Sequence, residues 1–331
     1  MESHMSQLNN PDNNPENNKL SDDLNIMKAK KDTLETKIKD ILTSYNHISD
    51  INEEELDKLV AEYDELESKI NQQEKQTNID TALEIMTPEQ FIGPDDIEKT
   101  FGFKPNEIPS INFSKQELET AQKLGQQLIL YIESTNDGTS LNAQTIKSLI
   151  KHKTKLNNPV IYTEDWYEKN PKTKDITPRL GWRLTTPEII DNSREQNYLE
   201  QTETLITYLT DKVYKDQEIP LKYQDAINQF ESQKTELSAL IQSDGKSASE
   251  KLSKLEINQL TRENYTEIIY RLTLTENKTG FQNLENTRSW SNSLVSDRRL
   301  VDVGAFVSVG LLVGCWSPDA RNGEIGVCFS Q

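Results

Sequence analysis

The side chains able to do chemistry are few and scattered. The only histidines are His4, His47 and His152, and the only cysteines are Cys315 and Cys328. None of them falls at the short spacing that a zinc site or a thiol–imidazole pair leaves in a sequence. Gly304, Gly310 and Gly314 lie close together, but no Lys-Ser or Lys-Thr follows and no helix opens there, so they do not form a phosphate loop. The 55 acidic residues supply carboxylates in plenty, yet they run along helical stretches, as solvated faces do. No motif commits the chain to a reaction. We expect no catalytic residue, no cofactor and no metal, and a protein that is not an enzyme.

The elements around these residues fall into two compositions that meet near Arg288. Upstream the chain is rich in Lys, Glu and Asn and carries the whole formal charge of −18 across its 331 residues. A basic face for phosphate neutralisation is lacking, which argues against nucleic-acid binding. The last 44 residues contain no lysine, five of the 12 glycines and both cysteines, and their four arginines balance four acidic residues. Two cysteines make no disulfide framework, and no apolar run marks a signal peptide near the start, so a reducing cytoplasm is the expected compartment.

Taken in order, residues 1–20 are Asn- and Pro-rich without periodicity and are expected to be disordered. Residues 21–86 read as a helical hairpin or short coiled coil: Leu24, Met27, Leu34, Ile38 and Ile41 form one stripe, and Leu56, Leu59, Val60, Tyr63, Leu66 and Ile70 the other. Asp50 or Asn52 is available as a cap between them, and oligomerisation or partner docking through residues 21–76 is the functional reading of this stalk. Pro88, Gly93, Pro94, Gly102, Pro105 and Pro109 mark a boundary, and residues 87–157 read as a helical carrier. There Ser114 and Glu117 fit a capping box for a helix faced by Leu118, Ala121, Leu124, Leu128 and Ile132. The aromatic stretch Tyr162, Trp166, Tyr167 and Trp182 reads as core-capping loops with a strand at Gly181-Trp182-Arg183-Leu184. A second capping box is predicted at Ser193–Gln196, followed by a helix through Val213, another opened by Pro220, and more from Ser247 to Leu274.

In the tail, apolar residues recur at near-alternating positions: Leu300, Val301, Val303, Phe306, then Leu311, Val313, Trp316, then Ile325, Val327, Phe329. Turn formers sit at Ser296-Asp297, Ser317-Pro318-Asp319 and Arg321-Asn322-Gly323. This pattern predicts three or four short strands in a small antiparallel sheet, hence an α+β chain with a helical N-terminal part. The competing reading of Leu300–Trp316 as a membrane anchor meets two obstacles. The run is short of the ~20 residues needed, and Asp302 within it would cost roughly 2.5–3.5 kcal/mol at the bilayer centre.

The motifs Trp290-Ser291-x-Ser293, Leu300-Val301-x-Val303-Gly304-x-Phe306, Gly310-Leu311-x-Val313, Trp316-x-Pro318 and Ile325-Gly326-Val327-x-Phe329-Ser330 resemble the variable region of diversity-generating retroelement target proteins, in the forms found in small-genome uncultured bacteria. Gly181–Leu184 and Asn197–Glu203 resemble the carrier portion of the same proteins. The ending Gly326-Val327-Cys328-Phe329 is similar, more faintly, to the Gly-Phe-Arg-Cys terminus of variable proteins of the formylglycine-generating-enzyme-like class. The resemblance covers roughly residues 175–331. It implies a C-type-lectin-like domain over 158–331 whose variable region, 290–331, is rewritten by adenine-specific mutagenesis to bind variable protein or glycan ligands.

The lack of lysine fits, because replacing the first base of a lysine codon yields stops among its products, whereas the asparagine codons cannot become stops by adenine replacement. The resemblance then assigns the ligand surface to Val295, Arg298, Arg299, Asp302, Ala305, Val307, Val309, Leu312, Gly314, Cys315, Ser317, Asp319, Ala320, Arg321, Asn322 and Glu324. Glu324 is the misfit, since adenine changes in asparagine codons do not reach glutamate. These positions are expected to be exposed, and Trp290, Val301, Val303, Phe306, Leu311, Val313, Trp316, Ile325 and Val327 to be buried. The thiols are expected to be unpaired, with Cys328 buried and Cys315 exposed. The alternative is a helical structural or adaptor protein whose C-terminal sheet only packs. A sulfatase-activating type of enzyme is disfavoured, because that chemistry uses reactive cysteines and Cys315 falls at a varied position.

Overall fold

A computed structural model describes residues 15–44, 53–150, 169–307 and 310–331. All three histidines, the Asp50 and Asn52 cap positions, and Tyr162, Trp166 and Tyr167 lie outside the described residues. The chain forms two compact units, Met1–Asp80 and Thr81–Gln331, and its class is α+β.

The first unit is built on helix α1 (Pro15–Ser44) and most of α2 (Glu53–Ile85). Pro15 is preorganised for a helix start, and α1 therefore begins inside the stretch expected to be disordered. Leu34, Leu66 and Ile70 are buried, with Leu24, Met27, Leu59 and Tyr63 packed around them. Val60, expected in the stripe, is 39% exposed. Lys28–Glu74, Lys30–Glu62 and Lys31–Glu67 ion pairs, at 2.6, 2.8 and 2.6 Å, link the two helices along their exposed flanks.

The second unit holds two sheets. Strands β1 (Phe91–Ile92), β2 (Gln127–Tyr131) and β3 (Gly181–Thr185) form the first, with β2 parallel to β1 and antiparallel to β3. Helices α3 (Pro94–Phe101), α4 (Lys115–Lys123) and α5 (Ala143–Ile150) accompany it. Two sequence expectations are corrected here. The helix opened by Ser114 ends at Lys123, because Gly125 turns the chain at φ 69°. The β-prone run Gln127–Tyr131 then enters the sheet, buried at every position. Since β2 pairs with β3, residues 87–157 and 158–331 are parts of one compact unit and not separate domains.

Helix α6 (Tyr198–Tyr208) continues into a π turn over Leu209–Val213, followed by α7 (Leu221–Ser243), α8 (Gly245–Lys254), α9 (Glu256–Thr261) and α10 (Tyr265–Thr279). The cap of α6 is Asn197, whose side chain accepts from the Glu200 N–H while Glu200 accepts from the Asn197 N–H at 3.0 Å each. Ser193, predicted for that role, instead donates to the Ile190 carbonyl and accepts from the Val327 N–H. Helix α10 is buried from Tyr265 to Thr275; apolar residues and threonines make up most of that stretch, as suits a helix enclosed on every side, and its charged Glu267 and Arg271 are each paired.

The lysine-free tail forms the second sheet, in the order β6–β5–β4–β7, from β4 (Arg288–Leu294), β5 (Leu300–Val307), β6 (Gly310–Trp316) and β7 (Ile325–Gly326). The first three are antiparallel and β7 runs parallel to β4, so the sheet is mixed. Leu300–Trp316 is thereby a β-hairpin, and among the described residues no helix is long and apolar enough to cross a membrane. Trp290, Leu300, Ile325, Val327 and Phe329 join the core built by α6–α9, with Trp290 packed on Tyr198 at 4.9 Å between ring centroids. The last residues then run back along β3: Leu184 and Gln331 exchange both backbone hydrogen bonds at 3.0 Å, and the Thr186 N–H donates to the Phe329 carbonyl.

Candidate functional site

Two places in the second unit concentrate charge in a buried setting. The first lies around α10. Arg271 is wholly buried and donates from Nε and Nη2 to Glu263 at 3.0 Å each, and from Nη1 to the Pro187 carbonyl at 3.2 Å. Glu263 also accepts from the Tyr131 hydroxyl at 2.7 Å. One turn on, Glu267 takes two bonds from the Arg179 guanidinium, at 2.8 and 2.7 Å, and one from the Asn264 N–H at 2.7 Å. Burial alone would raise the Glu267 carboxyl, but the Arg179 hydrogen bonds, with the charges of Arg183 and Arg179, outweigh it and hold the carboxyl below its usual 4.5. Every buried nitrogen and oxygen of Glu263, Glu267 and Arg271 has a partner. This cluster fixes the chain and leaves nothing free to react.

The second place is the tail sheet. Asp302, at the centre of β5, is 0% exposed. Its register partners are Trp290 on one side and Gly314 on the other. Arg288 Nη1 stands 3.1 Å from its Oδ1, yet neither carboxylate oxygen accepts a hydrogen bond from a described residue, and Arg288 Nε is buried without a partner. Burial pushes the Asp302 carboxyl up, the Arg288 charge offsets only part of that, and it comes to about 6.

Beside Arg288 lies a cavity of about 550 Å³ whose lining includes Arg288, Asp297, Arg299, Gly314, Cys315 and Trp316, but not Asp302. The turn between β4 and β5 supplies Asp297 and Arg299, joined at 2.8 Å. Strand β6 supplies the rest of one wall. Trp316 is 39% exposed, and the Arg288 guanidinium stands 5.8 Å from its ring centre. The Cys315 thiol is half-buried, and burial raises it above its ordinary value, so it is not an activated thiolate.

The expected ligand residues divide unevenly. Arg298, Arg299, Asp319, Arg321 and Glu324 are exposed, and Ala305, Leu312, Gly314, Cys315, Ser317, Ala320 and Asn322 are half-buried. Two expectations of exposure fail: Asp302 is buried, and Val295 is 2% exposed because its N–H and carbonyl close the β4–β5 turn onto Arg299 and Arg298. Val309 and the Val307 side chain lie outside the described residues. Val295, Arg299, Gly314 and Cys315 meet at the cavity. Arg321 belongs to a separate depression beside α6, where it pairs with Glu200.

Of the framework residues, Trp290, Val301, Val303, Leu311, Val313, Ile325 and Val327 are buried, whereas Phe306 is half-buried and Trp316 sits at the end of the edge strand with its ring open. Cys315 and Cys328 are both free, and Cys328 is buried; burial lifts its thiol to about 11.

Sequence reasoning missed Arg288 as a site residue. A signal was present: Arg288 and Trp290 are two apart in one strand, so alternation puts the arginine on the side that the buried tryptophan takes. Among the described residues no group of three or more His, Cys, Asp or Glu is placed to hold a metal ion. No protein-family model, curated protein or solved structure matches this chain.

Proposed function

We propose that the chain is a ligand-binding display protein of the diversity-generating retroelement kind. Residues 158–331 would then act as its C-type-lectin-like part, and the C-terminal sheet and its turns as the surface varied to meet protein or glycan ligands. The observation that carries this reading is a division within one lysine-free stretch. Trp290, Val301, Val303, Leu311, Ile325, Val327 and Phe329 are buried and hold the sheet, while Arg298, Arg299, Asp319, Arg321 and Glu324 face solvent. Fixed inward residues let outward ones change at little cost. The return of residues 327–331 along β3 supports the same reading, since it ties the last residues to the first strand of the lectin-like part and leaves the β4–β6 sheet free to carry variety.

A library randomising Arg298, Arg299, Ser317, Asp319 and Arg321 tests it. Most members are expected to be soluble and folded, each single change costing within about ±0.5 kcal/mol. Arg298 has φ 68°, so β-branched residues are expected to be depleted there. Equal unfolding in this library and in one over Val303 and Leu311 would remove the basis for a display surface. A neighbouring reverse transcriptase gene and a near-copy of the Trp290–Gln331 coding segment are the expected genomic companions.

A further inference from the structure

The turn that leads into β7 carries the one Asn-Gly step of the chain, Asn322-Gly323. An asparagine before a glycine is able to modify itself, because no Cβ on the glycine keeps its amide nitrogen from the preceding side chain. What the fold does to the reacting atoms decides the outcome. Asn322 Oδ1 accepts from the Glu324 N–H at 2.8 Å, which polarises Cγ and sets a donor where negative charge would develop on that oxygen. The leaving nitrogen, Nδ2, has no hydrogen-bond partner among the described residues, and neither has the Gly323 N–H. Gly323 is exposed and Asn322 half-buried, so water reaches the step.

The two Asp-Gly steps of the chain are held more firmly. Asp137 accepts from the Thr135 hydroxyl and the Thr139 N–H, and the Gly138 N–H donates to the Thr135 carbonyl at 3.0 Å. Asp244 caps α8, its carboxylate taken up by the Ser247 N–H and hydroxyl. Only at Asn322-Gly323 are the attacking and leaving nitrogens both unengaged.

We propose that Asn322 is a self-modifying residue, converted without enzyme or cofactor to a mixture of aspartate and isoaspartate. The Gly323 nitrogen gives its proton to water or hydroxide and attacks Asn322 Cγ. The Cγ–Nδ2 bond breaks, Nδ2 takes up a proton and leaves as ammonia, and a cyclic succinimide remains. Water then opens the ring, at Cγ to give aspartate or at the backbone carbonyl carbon to give isoaspartate, whose main chain runs through Cβ and Cγ. The turn and water supply every atom.

The lengthened chain falls between two anchored points, Arg321 paired with Glu200 and Ile325 in β7 beside β4. It displaces the Asn322 carbonyl, which accepts from the Ile325 and Glu195 N–H groups at 3.1 and 3.3 Å. Either product also sets a new carboxylate beside Glu195 and Glu324. The turn therefore changes shape and charge as the molecule ages, whether or not the display reading holds.

The test follows the full chain at neutral and at mildly alkaline pH, by peptide mapping with fragmentation that separates aspartate from isoaspartate, and by the ammonia released. Asn322 is expected to convert on the order of tenfold faster than the exposed Asn136 and Asn192, which precede Asp137 and Ser193. The rate should rise with pH, because the Gly323 amide must lose its proton. Gly323→Ala is expected to slow conversion at least about tenfold and to leave the fold intact. Gly323 lies outside the left-handed region, and a Cβ there meets only the Glu195 side chain, at 3.5 Å or more. Repeating the measurement in urea separates the turn from its sequence: the folded chain should convert at least within about tenfold of the unfolded one. The proposal is overturned if Asn322 converts no faster than Asn136 and Asn192, or if Gly323→Ala leaves its rate unchanged. It is equally overturned if the folded chain lags the unfolded one by more than about tenfold, since the turn would then shield the step.

Discussion

The cluster around α10 and the centre of the tail sheet each bury an arginine beside a carboxylate, and they differ in how completely the pair is bonded. Arg271 and Glu263 use all their buried polar atoms on each other, on Tyr131 and on the Pro187 carbonyl. Arg288 and Asp302 touch at 3.1 Å but leave three polar atoms unbonded. A closed network specifies structure, and an incompletely bonded one leaves buried charge only partly compensated.

The largest effect is expected where the network is closed. Arg271→Met strands Glu263 in a dry setting and should cost about 3–5 kcal/mol in urea unfolding. A loss below about 1 kcal/mol, the level of an exposed pair, would make the two arginine sites alike and dissolve the contrast.

Next come two apolar residues of β6 that sequence alternation treats as equals. Leu311 is 0% exposed and Trp316 is 39% exposed. Leu311→Ala should cost about 2–5 kcal/mol, whereas Trp316→Ala should stay within about 1 kcal/mol, since little packing is lost at a half-open position. Thermal unfolding of both variants checks this, and a larger loss at Trp316 would mean that its ring is core and not rim.

Smaller still is the effect at Ala305, the bulged residue of β5, held at φ 56° with its N–H shared between the Leu284 and Thr287 carbonyls. Ala305→Gly should stabilise slightly, and Ala305→Val should cost about 1–2 kcal/mol through left-handed backbone strain. Equal stability of the two would show that this position is as free as the tail pattern alone implies.

Much of the fold was legible in the sequence. The heptad stripes of α1 and α2, the Ser114–Glu117 box, the Gly181–Leu184 strand and the turns of the tail are all local signals, and local rules read them. What was not legible depends on partners distant in sequence. Gln127–Tyr131 continues the helical spacing of Leu118, Ala121 and Leu124, and only its pairing with Gly181–Thr185 makes it a strand. Ser193 and Asn197 both head plausible capping boxes; Asn197 takes the role because Ser193 is needed by the returning Val327. Asp302 and Trp316 were exchanged in burial for a related reason. Strand β5 is central and closed on both sides, while β6 is an edge whose last residue is left open, and alternation alone does not say which strand of a sheet is central.

Asp302 and Glu267 carry the contrast into a single observable. Asp302 has a folded value of about 6, above its ordinary 3.8, so the folded chain binds the proton more tightly than the unfolded one. Its stabilising contribution is therefore complete below about pH 3.8 and is lost as pH rises through about 6, a span worth roughly 3 kcal/mol. Glu267 has the opposite sign: its folded value lies below 4.5, so its contribution is present above that pH and is lost as pH falls through the folded value. The most direct test is to follow the side-chain carboxyl carbons of both residues by NMR from pH 3 to 8 in the unliganded protein. Our account predicts that Asp302 titrates near 6 while Glu267 stays ionised to below 4.5. If Asp302 stayed ionised as low as Glu267, its pair would be as fully satisfied as the one around α10, and the contrast between the two would be gone.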